Sequence, residues 1–205
     1  MKPLIVFLNG ACGSGKSEIA NYLQRKYKFS QHSFGDGIKK SLYALNPFLE
    51  GSIRLKDYVD VYGWDPIKRN YPEARRLLQF MGTEAGRDIH GVDCWTNKVL
   101  KEIEYIEDKR SCQSYVISDL RFKSEFLKFY ESYLYTCRIV HVSKSEEDKS
   151  QQTSSHSSES LDVFKEFPQF VTKINNNGTF EDLFNVVDKT LLDLLFPRKP
   201  VYMWR

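Results

Sequence analysis

The sequence has no apolar run long enough to cross a membrane. Residues 4–8 form an unbroken apolar run, but a membrane helix needs roughly 18 residues, and the core of a signal peptide also needs more than this run offers. Ala11 and Cys12 faintly resemble a lipoprotein cleavage site, yet Asn9 and Gly10 precede them, which argues against that interpretation. We therefore expect a cytoplasmic protein without a membrane partner.

Cysteine and histidine are few and widely spaced. The four cysteines, at positions 12, 94, 112 and 137, form no CxxC pair, which argues against a zinc site and against a disulfide framework. The four histidines have no metal-ligand spacing. The net charge of +3 is too small to indicate a nucleic-acid or membrane-surface partner. A phosphate ligand must therefore be met by local charges.

A glycine-rich loop, NGACGSGKS at residues 9–17, follows the apolar run directly. It fits the pattern G-x-x-x-x-G-K-[ST] in full. The glycines allow backbone N–H groups to curl around phosphate oxygens, the lysine reaches the β and γ phosphates, and the hydroxyl can ligate Mg²⁺. The alternative, a plain glycine turn, is disfavoured because a strand is predicted before the loop and a helix after it. The residues predicted to bind ATP phosphates are Gly10, Cys12, Gly13, Ser14, Gly15, Lys16 and Ser17, with Ser17 as the metal ligand.

Three classes of phosphate-loop protein are open at this point: a switch GTPase, an ATP-driven machine and a kinase. A GTPase needs an N-K-x-D motif to read guanine, and residues 97–100, NKVL, lack the aspartate. ATP-driven machines usually place a glutamate after the strand-end aspartate to activate water, whereas Leu120 follows Asp119 here. Transfer to a bound acceptor is therefore favoured, and an acceptor site rich in Arg and Lys should exist.

A helix that begins at Pro72 supplies candidates for the acceptor site. At 100° per residue, Arg76, Gln79, Thr83 and Arg87 fall on one side, opposite an apolar side. Arginine matches phosphate oxygens bidentately, and a glutamine amide can pair with a nucleobase. A solvated helix face with surface salt bridges is the alternative that the sequence leaves open.

Two other pairs of charged residues lie at element ends. Asp119 and Arg121 are two apart in an extended segment, so their side chains should point the same way beside the glycine loop. Asp36 and Lys39 lie at the start of the second helix, where a turn could face an anion. A helix cap and a solvated lysine are the alternative for the second pair.

Strands alternate with helices along the chain, which predicts an α/β protein with a mostly parallel sheet covered by helices on both faces. We expect one domain over residues 1–205. The predicted longer strands are residues 4–8, 115–117, 137–142 and 170–174. Residues 46–71 contain two prolines, two glycines and little periodicity, so we expect a loop-rich excursion over the active-site side.

Seven segments, in order along nearly the whole chain, resemble the deoxynucleoside monophosphate (dNMP) kinases of phages and other viruses. They are residues 10–17, FGDGIK (34–39), RRLLQFMGTEAGR (75–87), DCW (93–95), ISDLRFKSE (117–125), HSSE (156–159) and INNNGT (174–179). The resemblance implies an adenylate-kinase-like P-loop fold, with an acceptor-binding region at 36–95 and a lid at about 144–160. It also implies transfer of the γ-phosphate of ATP to a dNMP with Mg²⁺, supplying DNA precursors for viral replication.

The resemblance further implies roles for individual residues. Lys16, Asp119 and Arg121 would be catalytic, and Asn175 and Gly178 would lie near the adenine. Trp95 would pack against the base or sugar of the acceptor. The full set of predicted acceptor-binding residues is Asp36, Lys39, Arg76, Gln79, Arg87, Trp95, Asp119, Arg121 and Glu125.

This chain departs from the family pattern at two places. Lys123 and Ser124 stand where the family commonly has Pro and Asn, and Ser143 and Lys144 follow the fourth long strand where relatives often have an arginine. Two alternatives remain: a P-loop kinase of another phosphorylated acceptor, of the phosphomevalonate or dephospho-CoA type, and a nucleotide-gated module that binds nucleic acid or protein. A homodimer is also left open.

Overall fold

The computed structural model of the chain describes residues 2–109, 114–144 and 166–195. The predicted lid, from residue 145 onward, and the basic aromatic tail, residues 196–205, lie outside the described residues.

The described residues contain one sheet of five parallel strands in the order β2-β3-β1-β4-β5. The strands are β1 (Leu4–Asn9), β2 (Ser30–His32), β3 (Tyr115–Ile117), β4 (Thr136–Ser143) and β5 (Val171–Asn175). Every residue of β1 is buried, and β1 pairs with β3 on one side and β4 on the other. An unbroken apolar run is what a central parallel strand requires, because helices cover both of its faces.

Helices pack on both faces of this sheet. The α-helices of the described residues are α1 (Lys16–Tyr27), α2 (Gly35–Leu45), α3 (Leu55–Tyr62), α4 (Trp64–Asn70), α5 (Pro72–Gly82), α6 (Asp88–His90), α7 (Cys94–Glu107), α8 (Lys123–Tyr130) and α9 (Phe180–Leu195), of which α1, α7, α8 and α9 cover the sheet. Even-numbered residues of β1 share a core with α1 and α9, and odd-numbered residues share a second core with α7 and α8. Since neighbouring side chains of a strand point to opposite faces, the result is the predicted three-layer α/β arrangement.

The prediction of a loop-rich excursion over residues 46–71 is wrong for most of that segment. Helices α3 and α4 occupy it, and Leu55 and Ile67 are completely buried in a small separate core with Ala74 of α5. Pro66 lies in the first turn of α4, where a proline costs no helical hydrogen bond. Gly63, at φ 79°, ends α3 and begins α4. The prolines and glycines therefore mark helix ends here.

The helix that begins at Pro72 does not end at Gly82. It continues through a π-helical turn, Thr83–Arg87, into α6. A π-helical turn has more residues per turn than an α-helix, so positions after it no longer follow the 100° spacing of the preceding helix. The predicted single stripe from Arg76 to Arg87 is therefore interrupted: Arg76 and Gln79 are exposed, whereas Arg87 is half-buried.

Candidate active site

The glycine loop connects the end of β1 to the start of α1. Gly10 has a φ of 145°, and a Cβ placed there would lie 2.1 Å from the carbonyl oxygen of Val142 on β4. Gly15, at φ 106°, precedes the first residue of α1, and a Cβ there would lie 2.5 Å from the side-chain nitrogen Nδ2 of Asn176. The loop therefore depends on glycine at both ends, as a phosphate cradle at a helix N-terminus requires.

Lys16 lies across the mouth of this loop. Its ammonium donates to the carbonyl oxygens of Gly10 at 2.7 Å and Ala11 at 2.6 Å. Burial lowers the pKa of Lys16, the nearby Cys12 raises it, the positive charge of Arg121 lowers it further, and Asp119 raises it. The charges of Arg121 and Asp119 both act on the pKa of the loop lysine, and their predicted roles in catalysis stay predictions.

Asparagine side chains tie the loop to neighbouring strand ends. Asn9 is buried, donates to the carbonyl of Leu120 at 2.8 Å, and is bonded through its Oδ1 to Nδ1 of His141 at 2.9 Å. Asn176 donates from its side chain to the carbonyl of Ser14 at 2.9 Å and from its backbone to the carbonyl of Ser143 at 2.7 Å. These bonds hold the loop between the ends of β3, β4 and β5.

The β5–α9 connection contains the two predicted adenine-side residues. Asn175 accepts a hydrogen bond from the Ser143 hydroxyl at 2.8 Å, and Gly178 packs against Asp182. Thr179 and Asp182 form a reciprocal cap of α9, with bonds of 2.7 to 3.2 Å. The sequence placed residues 175–178 near the adenine but did not predict the bond from Asn176 to the loop; the signal was the run of three asparagines after the strand.

Asp119 connects the end of β3 to the start of α2. Its carboxylate accepts from the Ser33 hydroxyl at 2.8 Å, from the backbone N–H of Phe34 at 2.8 Å, and from that of Gly35 at 2.9 Å. The two backbone N–H groups are among those at the N-terminus of α2 that the helix cannot satisfy within itself. Asp119 thus anchors the first turn of α2, where the predicted acceptor residues Asp36 and Lys39 form an ion pair of 3.1 Å.

Glu125, another predicted acceptor residue, is only 2 % exposed. It accepts from the backbone N–H groups of Arg121 at 2.8 Å and Phe122 at 3.0 Å, and from the guanidinium of Arg87 at 3.1 Å. The Arg87 guanidinium also lies over the ring of Phe122, 4.1 Å from its centre. The Arg121 side chain itself is exposed.

Arg76 and Gln79 are exposed on α5. Arg76 is paired with Glu73, one turn earlier on the same helix, through bonds of 2.8 and 2.6 Å. An exposed pair of this kind is weakly held, so a phosphate could displace the carboxylate. Arg76 is paired with Glu73, whereas the half-buried Arg87 is paired with Glu125, and their roles toward an acceptor remain predictions.

Trp95 occupies a slot lined by glycines. Cβ atoms placed at Gly37 of α2 and Gly86 of the π-helical turn would lie 2.8 and 2.7 Å from its ring, and its indole N–H donates to the carbonyl of Gly82 at 2.9 Å. The ring is half-buried. Trp95 therefore packs the start of α7 against α2 and the π-helical turn, and its predicted contact with a base would involve the part of the ring that remains accessible.

The loop residues fit a nucleotide phosphate with Mg²⁺. The Ser14 hydroxyl is buried and has no hydrogen-bond partner, and Ser17 is exposed in the first turn of α1. Within residues 2–109, 114–144 and 166–195 there is no cluster of three or more His, Cys, Asp or Glu that could hold a metal. Magnesium is commonly held by few protein ligands together with substrate phosphates, which suits Ser17.

The sheet order, the glycine loop after the central strand and the helix that follows it together form the P-loop NTPase fold. No family model and no curated protein matches the chain. Dephospho-CoA kinase from Campylobacter jejuni is similar in structure, with a TM-score of 0.45 and 12 % identity over 93 % of this chain and 96 % of that one. Shikimate kinase from Aquifex aeolicus has a TM-score of 0.45 and 15 % identity over 95 % and 100 %. Likenesses as distant as these assign no activity to the chain.

Among the described residues, no helix is both long enough and apolar enough to span a membrane.

Proposed function

We propose that this protein is a kinase that transfers the γ-phosphate of ATP to a deoxynucleoside monophosphate, giving ADP and a dNDP. The observation that carries the proposal is the arrangement around Lys16: a phosphate loop at the end of β1, with Arg121 and Asp119 from the end of β3 beside it. The proposed role is supply of DNA precursors in the cytoplasm.

The ATP phosphates bind in the glycine loop. Backbone N–H groups of the loop and of the first turn of α1 surround them, and Lys16 exchanges the carbonyls of Gly10 and Ala11 for phosphate oxygens. Ser17 would hold Mg²⁺, which when bound would supply neutralisation of the phosphate charge. Asn175 and Gly178 lie on the connection that Asn176 fastens to the loop, which suits contact with the adenine.

The end of β3 favours transfer to a bound acceptor over hydrolysis. The Asp119 carboxylate accepts hydrogen bonds from Ser33, Phe34 and Gly35. The next residue, Leu120, is apolar and buried. Neither residue is suited to activate a water molecule. Phosphoryl transfer between phosphates depends on positioning and on charge neutralisation, for which Lys16 and Arg121 are suited.

The acceptor binds beside the start of α2 and along α5. This placement is supported by the resemblance and by the structure of α2, whose first turn is held by Asp119 next to Lys16. Lys39 and Arg76 supply charge for the acceptor phosphate once they leave Asp36 and Glu73, and Gln79 is exposed for a base edge.

The test is ADP release from ATP and Mg²⁺ with each of the four dNMPs in turn. We expect at least one dNMP to stimulate release, with dNDP as the product. Lys16→Met should abolish the stimulation, because the variant loses the loop cation. Lys101→Met, which removes an exposed lysine of α7, is the matched control. Stimulation by dephospho-CoA or phosphomevalonate instead of any dNMP would reassign the acceptor.

A further inference from the structure

We propose that Glu125 is a positioning residue that fixes Arg121 and Arg87 relative to Lys16, and that it does not bind the acceptor itself. This inference rests on the proposed kinase function, because it assigns Arg121 to the transferred phosphoryl group. It differs from the role that the family resemblance implies for Glu125, which is direct contact with the acceptor.

The burial of Glu125 and the direction of its bonds argue against ligand contact. One carboxylate oxygen accepts from the backbone N–H groups of Arg121 and Phe122, and the other accepts from Arg87. Both oxygens are therefore engaged by protein donors, and the residue is 2 % exposed. A substrate would have to displace these donors to reach Glu125.

Each of these bonds acts on a residue near the candidate site. The bond to the Arg121 backbone fixes the point from which its exposed side chain extends, and that side chain lies close enough to lower the pKa of Lys16. The bond to Arg87 fixes the π-helical turn that follows α5, the helix on which Arg76 and Gln79 lie. Glu125 thus joins the strand end that carries Arg121 to the helix that carries Arg76 and Gln79.

Loss of the Glu125 charge would release both arginines together. The Nε of Arg87 is buried without a hydrogen-bond partner, so the guanidinium depends on the Glu125 contact and on the Phe122 ring. A half-buried guanidinium without a carboxylate is unfavourable, and its side chain would move toward solvent. The N–H groups of Arg121 and Phe122 would at the same time donate to a neutral oxygen, which is a weaker acceptor than a carboxylate.

The charge of Glu125 is sensitive to pH near neutrality. Burial raises the pKa of Glu125 to about 7, the backbone N–H groups of Arg121 and Phe122 and the Arg87 guanidinium lower it, and the negative charge of Asp119 raises it. Among the described residues, the charges of Arg87 from the π-helical turn and of Asp119 from the end of β3 act on Glu125. The ion pair with Arg87 forms only when Glu125 is ionised.

The experiment compares the wild type with Glu125→Gln at a series of pH values from about 5.5 to 8.5, measuring kcat, KM and the dissociation constant of the accepted dNMP. Above pH 7 we expect kcat of Glu125→Gln to be lower by about tenfold or more, with less than about a threefold change in the dissociation constant. The wild-type kcat should rise through about pH 7, and the variant should lack this rise. Glu131→Gln, an exposed carboxylate just after α8, should behave as the wild type.

Two results would overturn the proposal. A weaker dissociation constant with unchanged kcat would mean that Glu125 contacts the acceptor. An unchanged kcat and pH profile, with only a lower melting temperature, would mean a purely structural role. If Glu125→Gln does not fold, Arg87→Met removes the same pair from the other side, and it should lower kcat above pH 7 in the same way.

A measurement without turnover separates this inference from the proposed function. The carboxyl ¹³C resonance of Glu125, assigned by its loss in Glu125→Gln, should titrate near pH 7, and Arg87→Met should shift its midpoint upward. If no dNMP stimulates ADP release yet this titration is seen, the proposed function fails while the Glu125–Arg87 coupling stands. If the resonance does not respond to Arg87→Met, the coupling itself is refuted.

Discussion

Substituting Gly10 by alanine should disable the phosphate loop through one identifiable collision. The added Cβ would lie 2.1 Å from the carbonyl oxygen of Val142 and 2.9 Å from the Ser14 hydroxyl. Carbon and oxygen atoms in contact stay more than 3 Å apart, so loop and strand must separate by about 1 Å. The carbonyl of Gly10, which Lys16 contacts at 2.7 Å, moves with the loop.

The expected effect follows from that displacement. Overpacking of this kind costs about 1 to 3 kcal/mol of stability, and a misplacement of about 1 Å at a reacting group lowers kcat/KM by about 100-fold. Urea unfolding gives the first quantity, and the rate of ADP formation at varied ATP gives the second. Gly13→Ala is the matched control: Gly13 also has a positive φ, of 78°, but a Cβ there meets nothing within 4 Å.

The control has a positive φ without a collision, so the difference between the two variants reports the collision together with the greater strain of alanine at the φ of 145° at Gly10. Gly13→Ala should cost about 1 kcal/mol, because alanine is strained at positive φ in both variants. If Gly10→Ala binds ATP and turns over as well as Gly13→Ala does, the loop does not pack against β4 as described, and the account of the phosphate cradle is wrong.

Three further predictions concern the groups around the loop. Asn176→Ala should raise KM for ATP several-fold and leave KM for the acceptor unchanged, because it frees the carbonyl of Ser14; steady-state kinetics with each substrate varied tests this. Asp119→Ala should lower the free energy of unfolding by about 2 to 4 kcal/mol, because three donors lose a carboxylate, whereas the exposed Asp108→Ala should change it little in urea unfolding. The pKa of Glu125 is raised in the folded state, so its contribution to the free energy of unfolding should be complete below about pH 4.5. That contribution should fall by up to about 3 kcal/mol as the pH rises to about 7. If the difference in free energy of unfolding between the wild type and Glu125→Gln stays constant over that range, this prediction is wrong.

The sequence predicted the sheet and the phosphate loop because both depend on local patterns. Continuous apolar runs mark the buried strands, and the spacing of Gly10, Gly15 and Lys16 marks the loop. The sequence did not predict α3 and α4, because glycine and proline are typical both of helix ends and of loops, and the pattern alone does not distinguish the two. The burial of Leu55 and Ile67, which stabilises these helices, depends on α5 and is a tertiary effect.

The candidate site was only partly predictable for the same reason. The π-helical turn at Thr83–Arg87 has no signature in a helical repeat, so the side on which Arg87 lies could not be read from spacing. The contacts of Asp119 with Phe34 and Gly35, and of Glu125 with Arg87, join residues that are 38 or more positions apart. Such pairings follow from the sheet order, which a single sequence does not specify.

The most direct test of the central claim is to follow the γ-phosphate of labelled ATP in the presence of each dNMP. We expect the label to move to the dNMP, giving labelled dNDP, and Lys16→Met to prevent this transfer. Release of the label as inorganic phosphate at a rate that no dNMP changes would contradict the account, because the loop would then serve hydrolysis without a second bound anion.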